Sequence, residues 1–145
     1  MSIGLARLTA MLVSAASLTT HASGRLPDTP LFPQTFASFE QCLAELERRH
    51  AEDLKGVDRA PRPLEGGGTI RQSLDSQGVQ RLEGQAARYD AEVGWSTRRR
   101  NGEWIESNYT WERHDLRCDG NTLTGVNSGG YHLPSQVKAD ETNTP

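Results

Sequence analysis

Cysteine occurs only twice, at Cys42 and Cys118, and the distance between the two constrains the fold more than any other feature of the chain. The spacing excludes a CxxC redox pair and a zinc knuckle, both of which need close-set thiols. In an oxidising compartment two isolated cysteines form one disulfide. The bridge would close a loop of 77 residues, counting both ends, for which the chain-entropy model gives about 4.5 kcal/mol. It would also force the segments carrying Cys42 and Cys118 to pack directly on each other.

The compartment is read from residues 1–22. A single positive charge at Arg7 precedes the apolar or small run LTAMLVSAASL, and Thr20-His21-Ala22 ends in a small residue, which is the order of a secretory signal peptide. The expected location is therefore periplasmic or extracellular. The apolar run falls short of the roughly 20 residues needed to span a bilayer, so no stable membrane insertion is expected after cleavage. With 34% hydrophobic and 24% charged residues in 145, the remainder suits one small domain with a modest core. Loss of Arg7 leaves fifteen basic against nineteen acidic residues, a net charge of −4, and nucleic acid is not an expected partner.

Residues 23–37, with three prolines, read as an extended lead-in. The spacing then predicts one amphipathic α-helix: Phe39, Cys42, Leu43, Leu46, His50 and Leu54 form a single stripe. Ser38 and Gln41 supply a capping box, and Gly56 a stop. Residues 57–68 hold prolines and three consecutive glycines and read as a loop.

Strand texture begins at Thr69. In Ala87, Tyr89, Ala91, Val93 and Trp95 apolar residues alternate with polar ones, and Ile105, Tyr109 and Trp111 repeat the pattern on odd positions. An Asn101-Gly102 turn would put the two apolar sets on opposite faces. A three-residue loop with Gly102 left-handed would set Val93 opposite Tyr109 and Ala91 opposite Trp111, burying both sets together, and is the expected register. Further on, the apolar positions become Leu116 and Cys118, so the pleat should change phase through a β-bulge within Glu112–Asp115. A turn at Asp119-Gly120 would then set Leu116 opposite Leu123.

The expected fold is α+β: an N-terminal helix packed on an antiparallel meander of four or five strands, stapled by one disulfide, over residues 38–134, with a disordered tail at 135–145. That order of elements is similar to cystatin-like rolls in topology alone, and no inhibitory motif of that group is present.

For function, Glu112 and His114 share a strand face and are the candidate acid–base pair of a small hydrolase. His114 and Asp115 are adjacent and point apart. His50, His114 and His132 lack HxH or HExxH spacing, and Gly66–Gly68 lack the lysine of a phosphate loop, so no cofactor or metal is expected. Trp104 is even-numbered in a segment whose expected core face is odd. That places it outward near the cationic run Arg98, Arg99 and Arg100, a composition common at binding surfaces. Alternatively, Leu31, Phe32 and Phe36 of the lead-in cover it. The function read from the sequence is a non-enzymatic exported binding or inhibitor-type module, with Trp104 and Arg98–Arg100 facing a protein or a small acidic or aromatic ligand.

Overall fold

The computed structural model describes residues 23–139. The expected signal peptide, and the tail from residue 140, lie outside the described residues. Three short strands, β1 (Ser23–Arg25), β2 (Thr29–Pro30) and β3 (Gln34–Thr35), precede the helix α1 (Phe39–Gly56). Strand β4 (Arg62–Pro63) follows, and then four long strands, β5 (Thr69–Leu82), β6 (Ala86–Asn101), β7 (Trp104–Asp119) and β8 (Thr122–Lys138). All belong to one antiparallel sheet in the order β1-β8-β7-β6-β5-β4, with β2 and β3 also on β8. The sheet thus has eight strands rather than four or five, and the helix is not N-terminal to them. The lead-in pairs because its extended, proline-spaced backbone can still donate to the β8 edge, at Leu26, Leu31 and Phe36.

The helix forms where the stripe requires. Ser38 caps it by accepting the Gln41 N–H, and the Gln41 side chain reaches back to the Ala37 N–H. Phe39, Cys42, Leu43 and Leu46 are buried, but Leu54 at the end of the stripe is 52% exposed. Its turn presents Asp53 to the sheet instead. Against α1 pack Ala87, Tyr89 and Ala91 of β6, Leu116 and Cys118 of β7, and Leu123 of β8, with Leu31 and Phe36 closing the side. Cys42 and Cys118 are disulfide-bonded at the centre of this core, with their Cα atoms 6.0 Å apart.

The β6–β7 register differs from the expected one. The hairpin closes through Gly102-Glu103, with Gly102 at φ 61°, a conformation glycine adopts without cost at the first position of a two-residue turn. Val93 then lies opposite Glu112, Ala91 opposite His114 and Tyr89 opposite Leu116, without a break from Ala86 to Asp119. Odd residues of β6 therefore share the helix face with even residues of β7. Ile105, Tyr109 and Trp111 lie on the other face, and no bulge interrupts Glu112–Asp115. The assumption that both apolar sets fill one core was the error, because a sheet with two occupied faces accommodates them separately.

Strand β8 enters through Gly120-Asn121, pairing Cys118 with Leu123 and Leu116 with Gly125. This is two residues from the expected register, a shift that keeps Leu123 on the helix face. The irregularity between Ser107 and Tyr109 puts an extra residue in β8, near Pro134, where a missing N–H is tolerated. The strand runs on to Lys138, past the expected end of order at Pro134.

Candidate functional site

Glu112 and His114 do share the helix face, but they do not converge. Glu112 is exposed, with its stem near Gly129. His114 turns under the helix, its Nδ1 3.0 Å from Asn127 Oδ1 and its Nε2 3.9 Å from Asp53 Oδ2, an ion pair only when the imidazole is protonated. Tyr89 donates its hydroxyl to the same Asp53 oxygen at 2.7 Å. Burial, and then the Asp53 carboxylate, push the Tyr89 pKa up. The ring of His50 lies 5.4 Å from that of Tyr89. The cleft beside this cluster holds about 140 Å³ and is lined by Arg49, Glu52, Asp53, His114 and Leu116. It includes neither Glu112 nor a serine, threonine or cysteine that could act as a nucleophile. Its hydrogen bonds tie α1 to β6 and β7 to β8.

Trp104 is 47% exposed and begins β7 opposite Asn101 and Lys138. By pleat it lies on the same side as Leu116 and Cys118, not on the outer face, but at the far end of the strand. The lead-in does not cover it: Leu31 and Phe36 pack on the main core, and Phe32 is 91% exposed. Arg98, Arg99 and Arg100 are exposed at the end of β6. In this register Arg99 faces Glu106.

The most developed surface is one that sequence reasoning missed. On the outer face, the row across the sheet reads Arg25, Gly130, Trp111, Gly94 and Ser73. A side chain at Gly94 would collide with the Tyr109 ring, and one at Gly130 with Trp111. Each glycine thus lets an aromatic side chain approach the backbone where a Cβ would stand. His132 completes the set, its ring 5.5 Å from that of Tyr109. The Tyr109 hydroxyl donates to Glu92 Oε1 at 3.1 Å, and its pKa is raised by burial first and by that carboxylate second.

Two clefts open on this face. One, of about 380 Å³, is lined by Gly24, Arg25, Glu92, Trp111 and His132. Its neighbour, of about 300 Å³, is polar and runs from Asp75 along the β5 bulge to Arg113. Glu92 lines both. The combination of ring faces, a glycine floor and a few charged groups suits recognition of a small ligand. The sequence signal was Gly94 within an otherwise well-patterned strand, which marks a close approach by something bulky.

The chain matches no known protein family, no characterised protein and no solved structure.

Proposed function

We propose that this protein is an exported, non-enzymatic binding module that holds a small ligand on the outer face of its sheet, against Trp111, His132 and Glu92. The observation that carries this reading is a cleft of about 380 Å³ lined by Trp111, His132 and Glu92, with the Tyr109 ring packed beside His132. Trp111 and Tyr109 are not part of the main apolar cluster, which lies on the helix face. Export is supported by the buried Cys42–Cys118 disulfide, a bond that persists in oxidising compartments. No helix among the described residues is long and apolar enough to cross a membrane. A hydrolase built on Glu112 and His114 draws no support from a cleft that contains only one of them.

The test is a two-dimensional NMR titration of the 15N-labelled protein with a chemically mixed fragment set containing cations, anions and neutral polyols. Shifts should concentrate on the Trp111 indole N–H and on the backbone of Glu92, Gly130 and His132. Shifts confined to Asp53, Tyr89 and His114, or no saturable shift with any fragment, would overturn the proposal.

A further inference from the structure

We infer that the outer cleft takes a small organic cation, a quaternary or tertiary ammonium group, against the rings of Trp111 and His132, with Glu92 as its counter-charge. This deepens the preceding reading and depends on it.

The first support is the charge balance of the face. Glu92 stands between Asp75 of β5, a like charge that destabilises the pairing, and Arg113 of β7, an opposite charge. The cations nearby are already engaged. Arg113 makes two bonds to Asp90, at 3.1 and 2.8 Å. Arg88 lies between Asp90 and Asp115. Arg25, which lines the cleft, is held by both oxygens of Asp28 at 2.9 and 3.1 Å. Among the described residues no ion pair closes on Glu92 or Asp75. Arg113 offsets Glu92 only without a direct bond, its own bonds going to Asp90, so a positive ligand would complete the neutralisation of Glu92 and Asp75.

The second support is the floor. An aromatic ring presents a negative face, and a cation set over it is attracted by the ring quadrupole, most strongly over tryptophan. Trp111 approaches the backbone closely at Gly130 and Tyr109 at Gly94, and His132 packs beside Tyr109. The Asp75 and Glu92 carboxylates both add to the upward pull on the Tyr109 pKa, so their negative potential reaches the ring platform. A weakly hydrated ammonium sheds water readily enough to exploit both features.

Other ligand classes fit less well. A hard divalent metal needs six or more oxygen ligands, and a floor of rings supplies none. An anion would meet the Glu92 carboxylate, and the one guanidinium lining the cleft, Arg25, is already paired with Asp28 through its Nη2. A neutral sugar could stack on Trp111 but would leave the Asp75–Glu92 repulsion in place.

The test uses choline chloride as the probe and 3,3-dimethylbutan-1-ol, its uncharged isostere, as the control, titrated into the full chain by calorimetry and tryptophan fluorescence. Choline should bind saturably and at least tenfold more tightly than the isostere. Glu92→Gln should cost at least tenfold in choline affinity. Trp111→Phe should keep part of the affinity that Trp111→Leu loses, with thermal melts showing that each variant is folded. Equal binding of choline and isostere, unchanged affinity in Glu92→Gln, or no saturable choline binding would each overturn the inference. If choline fails while anionic or neutral fragments still shift Trp111 and His132, the cleft is a binding site of another class. If no fragment moves those residues, the binding reading itself falls.

Discussion

Tyr89 donates its hydroxyl to Asp53 across 2.7 Å, joining the last turns of the helix to a central strand of the sheet. The tyrosine ring is fully buried, so Tyr89→Phe keeps the packing and removes only the hydroxyl, which donates to Asp53 and also meets Ser76. A hydrogen bond to a charged acceptor contributes about 1.5–3 kcal/mol, and Asp53, whose side chain is largely covered, would be left with one partner fewer. The expected loss is about 1–3 kcal/mol by urea denaturation. A variant as stable as the parent would show that Asp53 is satisfied by water and that the helix is held by its apolar stripe alone.

The disulfide gives a second prediction. Cys42 and Cys118 are separated by 76 positions and buried at the core. Reduction in mild denaturant should lower stability by up to about 4.5 kcal/mol, the loop-entropy figure, which tends to overestimate. Mass spectrometry of the unreduced protein should find the two in a single bridged peptide. Two alkylatable thiols in native protein recovered from an oxidising compartment would contradict this packing.

How far the fold could be read from residues alone depended on which rule applied where. The helix was legible because Phe39 to Leu46 repeat at helical spacing and Ser38 caps them, both local properties. The β6 pattern was legible for the same reason: Ala87, Tyr89, Ala91 and Val93 are all buried as their alternation required. The partner register was not legible. It was inferred by asking which pairing would bury Tyr109 and Trp111 with Val93, and the true pairing places them across the sheet from it. The outer platform was lost with that step, since Gly94 and Gly130 can be recognised as seats only once it is known which rings lie above them. Nothing local in Asp75 and Glu92 could show that they face each other.

Gly94 and Tyr109 should therefore be energetically coupled. Gly94→Ala places a methyl group where the Tyr109 ring lies, and overpacking of this kind costs about 1–3 kcal/mol. In the double variant Gly94→Ala with Tyr109→Ala the clash has no object. The two losses should fall short of additivity by about 0.5 kcal/mol or more. Strict additivity would mean that the ring does not rest on Gly94 in solution.

Acid sensitivity should centre on the helix surface. The Glu45 carboxyl is held at about 2, against an ordinary 4.5, chiefly because Arg48 donates to it through two nitrogens, with Arg49 adding a third bond. A carboxylate whose pKa is lower folded than unfolded adds stability above the unfolded value and loses it as pH falls through the folded one. The parent should thus exceed Glu45→Gln in urea midpoint at pH 7, with the gap closing between about pH 4.5 and 2. High salt should narrow it as well, because the cluster lies at the surface. A gap that stays constant across that range would rule out the Arg48 and Arg49 pairs as its origin.

Trp104 separates two ideas about the hairpin end. It is 47% exposed, beside strands that end in the guanidinium groups of Arg98, Arg99 and Arg100 on a chain that is acidic as a whole. An exposed residue away from caps and buried networks changes stability little when truncated, so Trp104→Ala should lie within about 1 kcal/mol of the parent. Trp111→Ala, which uncovers Gly130, should cost more. Acrylamide should quench a larger share of the fluorescence in the parent than in Trp104→Ala, because the residual signal comes from the half-buried Trp95 and Trp111. The same variant separates a second contact surface from the outer cleft: if the cationic tip binds an acidic partner, Trp104→Ala weakens that binding and leaves choline affinity untouched. Loss of both together, in a protein that still melts normally, would show that the hairpin end and the Trp111 platform act as one site.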